Sequence, residues 1–287
     1  MTKEGITLYI PAFNAQKTLS ACLEGIFRQT HPPDEILVID DGSRDDTAEI
    51  GKRLGVKVIS HEKNKGIAAS RNTAIREASY SLIANLDADV VPASDWLEKL
   101  LDVFDESVAG VGGKLKEKFQ NGIVNEWRAA HMCQHWGETM QENPTFLPGA
   151  NSLYRKSAIE AVGGYDERCK RNFEDNDLGI RLRAHGYRLR YTPHAIAIHL
   201  RQDNLASLLK TAWGWSRRPR DAQTLNYKAR KLALNFYTFG KRAKKDLANK
   251  SLSSLGLSFL VAMNNTIMDL RFFTTGREDE WWKKHRK

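Results

Sequence analysis

Ser81-Leu82-Ile83-Ala84-Asn85-Leu86-Asp87-Ala88-Asp89 reads as a buried strand that runs straight into two carboxylates. Upstream of it, 66–78 carries a helical pattern, Val56-Lys57-Val58-Ile59 a strand, and 46–54 another helix. Glu35-Ile36-Leu37-Val38-Ile39 is a near-continuous apolar run, as in a parallel strand covered on both faces, and it ends in Asp40-Asp41-Gly42-Ser43. Before that, 15–29 is helical with Leu19, Leu23, Ile26 and Phe27 on one face, and Ile6-Thr7-Leu8-Tyr9-Ile10 is a short strand closed by Pro11. Downstream, 94–104 continues as a helix with Ser94 as its N-cap. This alternation predicts an α/β fold, a doubly wound, mostly parallel sheet flanked by helices. Such a sheet presents ligand-binding groups where its strands end. The acids at 40–41 and at 87 and 89 stand at strand ends, and Glu174-Asp175 opens a helix much later. Carboxylates in these places suit a metal-bridged nucleotide, with one acid left to serve as a base.

A chain of 287 residues suffices for one large domain or a domain with an appendage. An apolar fraction of 41% predicts a packed core and excludes a disordered chain. Cys22, Cys133 and Cys169 are too scattered for a metal knot or a disulfide framework, which points to free thiols in a reducing compartment. No charged-then-apolar leader is readable, so the expected location is cytoplasmic. The net charge of +9 is uneven: 201–287 holds 19 Lys/Arg against 7 Asp/Glu, while the other 200 residues hold 25 against 28. The expected division is therefore a nearly neutral body over 1–202 and a basic, helical C-terminal region over 203–287. A basic region of this kind faces an anionic partner, phospholipid or nucleic acid, or is a solvated helical surface.

The middle, 108–157, is less regular; its Gly112-Gly113, Pro144 and Pro148-Gly149-Ala150-Asn151 suit pocket walls. Arg181-Leu182-Arg183 belongs to a helix ended by Gly186, and 187–199 reads as extended with Pro193 dividing it. His131-Met132-Cys133-Gln134-His135 sets two imidazoles one helical turn apart. With no third ligand evident, it reads as a surface or acceptor-cleft helix. Residues 251–273 place Leu252, Leu255, Phe259, Leu260, Met263, Ile267 and Leu270 at helical spacing but include Asn264, Asn265, Asp269 and Arg271. A membrane span needs about 20 mostly apolar residues in a row. This segment reads instead as an amphipathic helix that packs on a core or in a homo-oligomer, or lies on a membrane surface.

Several residues carry chemistry by type and place. Asp41, at a strand end, can accept from a nucleobase N–H or a ribose hydroxyl; Asp40 and Asp41 also suit the capping of the next turn. Phe13, just after a strand, fits either a stacking surface or the core. Lys65-Gly66 and Arg71 stand at a helix start, where amides and positive charge attract phosphate. In extended backbone Asp87 and Asp89 point the same way, and oxygen ligands there suit Mn2+ or Mg2+. His199 ends the last apolar strand, where a packing role competes with a metal-ligand role. Glu174 and Asp175 lie in a first helical turn, where the helix dipole is expected to keep both ionised. Asp177 suits a pair with Arg181 four residues on.

Ile10-Pro11-Ala12-Phe13-Asn14, Asp40-Asp41-Gly42-Ser43, Gly66 with Arg71-Asn72, and Asp87-Ala88-Asp89 together resemble a family 2 glycosyltransferase of the GT-A fold, bacterial type. Gly149-Ala150-Asn151, Gly163-Gly164-Tyr165-Asp166 and Glu174-Asp175 continue the pattern over roughly the first two hundred residues. The resemblance implies a GT-A, Rossmann-like domain that moves a sugar from a nucleoside-diphosphate sugar, UDP-linked, to a hydroxyl with inversion. It assigns Pro11, Phe13, Asn14, Asp40, Asp41, Arg71 and Asp87 to the nucleotide, and Gly149, Ala150 and Asn151 to the donor-sugar or acceptor pocket. Asp89 and His199 become ligands of Mn2+ or Mg2+, Asp175 the general base, and Glu174 its support. The implied partners are the nucleotide-sugar donor and a saccharide or lipid-linked acceptor, with cell-envelope polysaccharide synthesis as the setting. Peripheral docking on the inner membrane face and homo-oligomerisation both stay open. Trp213-Gly214-Trp215-Ser216-Arg217-Arg218-Pro219 is distantly similar to an acceptor motif of processive relatives, but its spelling differs. Among rivals, a nucleotidylyltransferase needs a Gly-rich basic loop where Pro11-Ala12-Phe13-Asn14-Ala15 has no Gly, and an oxidoreductase needs a Gly-x-Gly-x-x-Gly fingerprint that is absent. A nucleic-acid-binding protein explains the basic region but not the ordered acids, so no nucleic-acid partner is expected.

Overall fold

Strand β1 (Lys3–Ala12) runs between β2 (Glu35–Asp40) and β4 (Tyr80–Leu86), parallel to both, and β3 (Lys57–Ser60) extends the sheet beyond β2. The crossovers are α1 (Leu19–Phe27), α2 (Thr47–Arg53) and α3 (Ile67–Glu77). The continuous apolar runs have their physical reason here. Leu8, Ile10 and Val38 pack with Leu19, Cys22 and Leu23 of α1 on one side of the sheet. Tyr9, Leu37 and Ile39 pack with Ala74 of α3 on the other. Burying a side chain of this size contributes about 1.5–3 kcal/mol. Pairing of β1 with β4 stops at Tyr9↔Asn85, which leaves room for Pro11. The computed structural model describes residues 3–169, 172–216 and 225–275.

The rest of the sheet is mixed. Short β5 (Val90–Pro92) precedes α4 (Trp96–Leu101); then come β6 (Gly110–Glu117), α5 (Ile123–His131), β7 (Gln141–Glu142), β8 (Asn151–Arg155), α6 (Lys156–Ala161), α7 (Glu174–Ala184) and β9 (Leu189–His199). The order is β3-β2-β1-β4-β8-β6-β9-β5, with β7 also on β9; β8 lies antiparallel to β4 and β6, and β6 parallel to β9. Three expectations change. The irregular middle contains two full strands, β6 and β8. Pro193 does not divide β9, because a register shift between Gly112 and Lys114 of β6 absorbs it. Ser94 is not the cap of α4: that position belongs to Asp95, and the Ser94 carbonyl accepts from the Thr30 amide.

The chain divides into two compact units, 1–118 with 133–201, and 119–132 with 202–287. The second therefore takes in a segment that a boundary at 202 leaves in the first. It comprises α5, α8 (Leu205–Trp215), α9 (Leu225–Ala248) and α10 (Leu252–Thr275) around Trp127, Met132, Leu208, Ala212, Leu257 and Val261. Asn204 starts α8 with a capping box to Ser207. The His131 reading is corrected here. Helix α5 ends at His131, so His135 is not one turn further on, and the His131 ring is buried with Nε2 2.7 Å from Asp246 Oδ1. No helix among the described residues is long and apolar enough to cross a membrane. Arg217-Arg218-Pro219 and the terminal cations Lys283, Lys284, Arg286 and Lys287 lie outside the described residues.

Candidate active site

The loops after β1 and β2 close on each other. The Asn14 amide donates to Ser43 Oγ at 2.9 Å and the Arg44 amide to Asn14 Oδ1 at 2.9 Å, with Asn14 at a positive φ of 51°. Phe13, 48% exposed, is therefore not a core residue. Asp41 is buried and fully engaged. It accepts from the amides of Lys65 at 2.9 Å and Gly66 at 2.8 Å, and it faces His61 Nδ1 at 2.7 Å. His61 Nε2 lies 3.0 Å from Thr73 Oγ1 and so ties the end of β2 to α3. Asp40 accepts from the Ser43 amide at 3.1 Å through one oxygen only. Gly42, at φ 70°, cannot take a side chain, since a Cβ would lie 2.7 Å from the Lys63 carbonyl carbon.

Arg71, only 1% exposed, is the hub beneath this pocket. Its guanidinium donates to the Gly149 carbonyl at 2.7 Å, to Tyr9 Oη at 3.3 Å and to Asp87 at 3.1 Å, and Nε stands 3.4 Å from Glu174 Oε1. It braces the acids from below rather than lying open on the pocket. The Gly149 amide in turn donates to Asp175 Oδ2 at 3.1 Å, and Asp175 Oδ1 accepts from the Asn176 amide at 2.7 Å. A Cβ on Gly149 would come within 2.8 Å of the Arg71 guanidinium, so a larger residue there would push Arg71 from its contacts. Glu174 departs from the first-turn expectation. Burial and the neighbouring Asp175 charge push its carboxyl up to about 8, against the pull of Arg71. Arg71 divides its charge with Asp87, so burial prevails over both the ion pair and the helix dipole. Glu174 Oε2 and Arg71 Nε have no hydrogen-bond partner among the described residues. The Asp177–Arg181 pair forms at 2.7 Å.

Asp89 Oδ2 faces His199 Nε2 at 3.3 Å, and His199 Nδ1 lies 3.0 Å from Glu117. Antiparallel pairing of Val90 with His199 and parallel pairing of Glu117 with His199 bring the three together. Burial alone would raise the Asp89 carboxyl, but the His199 hydrogen bond and charge carry it below the ordinary value. Asp87 moves the other way, raised by burial despite Arg71. Among the described residues no three His, Cys, Asp or Glu side chains form a full cage. One oxygen and one nitrogen donor, with Glu117 on the far ring nitrogen, nevertheless fit an ion that takes its other ligands from phosphate and water. Asn151 does not fit the pocket role expected of it. It is fully buried, accepts from the Trp96 indole at 2.6 Å, and donates to the Lys114 and Ala195 carbonyls at 3.2 Å, so it knits strands together. Ala150 is likewise core.

The pattern described as "Glycosyl transferase family 2" matches residues 7–163. This chain belongs to glycosyltransferase family 2. The chain is 32% identical over 231 residues to the pre-mycofactocin glycosyltransferase of Mycobacterium tuberculosis, covering 75% of this chain and 47% of that protein. It is 27% identical over 224 residues to the poly-beta-1,6-N-acetyl-D-glucosamine synthase of Staphylococcus aureus, covering 74% and 54%. The chain thus spans about half the length of the curated relatives it matches. A Pyrobaculum calidifontis mannosyltransferase, solved in complex with GDP-Man and Mn2+, shares the fold with a TM-score of 0.64 at 19% identity, over 94% of this chain and 88% of that one. S. aureus TarS 1-349 gives 0.56 at 15%, over 95% and 92%. The sheet, with acids at its strand ends, is the GT-A fold of this family 2 member. Reading the sequence did not single out Glu117, His61 or Tyr9. Each is an isolated residue with no motif around it, and strand pairing alone makes it a neighbour of the acids.

Proposed function

We propose that this protein catalyses inverting, metal-dependent transfer of a sugar from a nucleoside-diphosphate donor, UDP-linked, to a hydroxyl of a saccharide or lipid-linked acceptor. One observation carries the reading: Arg71 and Gly149 join the strand-end acid Asp87 to the helix-start acids Glu174 and Asp175. In this reading Pro11, Phe13 and Asn14 border the nucleoside. Asp40, with one carboxylate oxygen uncommitted, accepts from the base, and Asp41 holds the Lys65-Gly66 amides in place. Asp89 and His199 are the side chains to hold Mn2+ or Mg2+, which when bound would supply neutralisation of the diphosphate. Asp175 takes the proton from the acceptor hydroxyl. The acceptor oxygen then bonds to the anomeric carbon from the face opposite the diphosphate, whose oxygen leaves with the electron pair of the broken bond. Alignment and charge placement supply the larger part of the acceleration.

The test is nucleotide release from a panel of UDP-, GDP- and dTDP-sugars by the full chain in Mn2+, with and without oligosaccharide acceptors. One UDP-sugar should be consumed. Asp175→Asn should lower the rate by about 10²–10⁴-fold with donor binding retained, and Asp89→Ala should weaken UDP binding in Mn2+ but not in EDTA. A panel with no release, or unchanged metal-dependent UDP binding in Asp89→Ala, would overturn the donor or the metal assignment respectively.

A further inference from the structure

Helix α10 buries polar side chains beside the apolar Leu257, Val261 and Met268, and turns a row of large apolar side chains outward. Ser258, Asn265 and Asp269 are buried, whereas Leu252 is 77% and Phe259 54% exposed, with Leu260, Ile267 and Leu270 exposed beside them. Positions 252, 256, 259, 263, 267 and 270 recur at steps of three and four, so they share one face, and none is charged. Helix α9 also turns apolar side chains outward: Lys231, Asn235 and Asp246 are buried while Leu234, Phe236, Tyr237 and Leu247 are exposed. The inward groups satisfy one another. Asp269 accepts from the Trp213 indole at 3.0 Å and from Asn235 at 2.8 Å, and Ser258 accepts from the Trp127 indole at 2.8 Å and donates to Asp246 at 2.6 Å. Phe239 meets Phe259 edge-on at 5.8 Å, so the two helices adjoin. The interior of the unit thus takes in these polar groups together with Leu257 and Val261, and among the described residues the outward apolar side chains stay exposed.

We propose that this face docks on the surface of an anionic lipid bilayer. Charge selects lipid over a second copy of the chain. Lys241 and Lys244 are exposed four and seven residues after Tyr237, hence on its side of α9, and Lys241 Nζ lies 4.8 Å from the centre of the Tyr237 ring. With 19 Lys/Arg against 7 Asp/Glu in 201–287, a symmetric pair would set like charges against each other. A bilayer surface accepts both halves of the pattern, apolar side chains at the acyl boundary and cations among the phosphates. Arg242, stacked 4.9 Å from the Trp127 ring, and the exposed Lys245, donating to the Ala130 carbonyl at 2.7 Å, are engaged within the unit and are not among the docking cations. The inference deepens the lipid-linked acceptor of the reading above by giving the enzyme a place to meet it, and its test needs no substrate.

Co-sedimentation of the full chain with phosphatidylcholine vesicles, with and without phosphatidylglycerol, decides it. Binding should require phosphatidylglycerol and weaken with salt. The Lys241→Glu/Lys244→Glu variant should bind at least about tenfold more weakly, since each of the two cations near the surface contributes about fivefold. Leu252→Gln/Phe259→Gln should bind about as weakly even at low salt, with helical circular dichroism retained in both variants. No binding to phosphatidylglycerol vesicles at low salt overturns the proposal. So does a concentration-dependent dimer, seen by sedimentation equilibrium, that Leu252→Gln/Phe259→Gln dissociates while vesicles stay unbound; the face then belongs to a second copy. Vesicle binding without nucleotide release, or the reverse, separates failure of this inference from failure of the transfer reading.

Discussion

Glu174 and Asp175 differ through their surroundings, and this decides how each responds to substitution. The Glu174 carboxyl, raised to about 8 by burial and by Asp175, holds its proton to higher pH than an ordinary carboxylate. A raised carboxyl contributes stability that is fully present below its ordinary value and is lost as pH rises through its folded value. Glu174→Gln imitates the neutral form. It should keep most nucleotide release near neutrality, and its melting temperature should gain on that of the unaltered chain as pH rises from about 5 to about 8. If it proves as damaging to release as Asp175→Asn, the base is not Asp175 alone. Glu117 calls for a different measurement. Its carboxylate holds His199 Nδ1 at 3.0 Å, leaving Nε2 towards Asp89. Loss of such a partner lowers metal affinity by about 10–100-fold. Glu117→Gln should therefore weaken Mn2+ binding by that order in calorimetry or electron paramagnetic resonance, and an unchanged affinity would remove the Glu117–His199 pair from the cation site.

Strands β1, β2 and β4 are legible in the sequence because burial on both faces writes them as apolar runs. β6 is not, since Gly110-Val111-Gly112-Gly113 offers few side chains to alternate. The glycines answer to close approach instead: a Cβ on Gly113 would lie 2.2 Å from the Ala195 carbonyl oxygen. Motif acids could be found for the same reason that Glu117 and His61 could not. A short motif advertises itself locally, whereas Glu117 reaches His199 only through β6–β9 pairing. For α10, spacing tells which residues share a face but not which face points inward, and here the inward one mixes Leu257 and Val261 with Ser258, Asn265 and Asp269. The polar interior tying α5, α9 and α10 also makes this unit sensitive to acid. Burial lowers the His131 pKa below its ordinary 6.5 despite Asp246. Asp246 is lowered too, burial opposing and the Ser254, Ser258 and His131 hydrogen bonds prevailing. Groups with depressed values contribute stability above their ordinary pKa and lose it as pH falls through the folded value, His131 first. Hydrogen exchange in α9 and α10, corrected for intrinsic rates, should therefore speed up as pH drops below about 6.5, and His131→Gln should flatten that response. Exchange in the unaltered chain that ignores pH over this range would rule out burial of His131 as the source of acid sensitivity in this unit.

The two compact units differ in charge as well as in construction, and so they should answer to different ligands. In the first, carboxylates crowd one site: burial and the charges of Asp89 and Asp175 raise Asp87 although Arg71 touches it. Repulsion of this kind is relieved when a cation and a diphosphate share the site. A ligand that binds only the folded state stabilises it by about 2.7 kcal/mol at a hundred times its dissociation constant. UDP with Mn2+ should therefore raise the melting temperature of the full chain more than UDP alone. Its hydrogen-exchange protection should fall on the loops after β1, β2 and β4 and on the start of α7. Phosphatidylglycerol vesicles should protect the other set, the outward faces of α9 and α10, and leave those loops unchanged. Each ligand is thus the control for the other. Protection by UDP and Mn2+ confined to α9 and α10 would place nucleotide binding in the basic unit and detach it from the carboxylates. Protection confined to the strand-end loops and α7 would instead tie the nucleotide to the acids that Arg71 and Gly149 hold together.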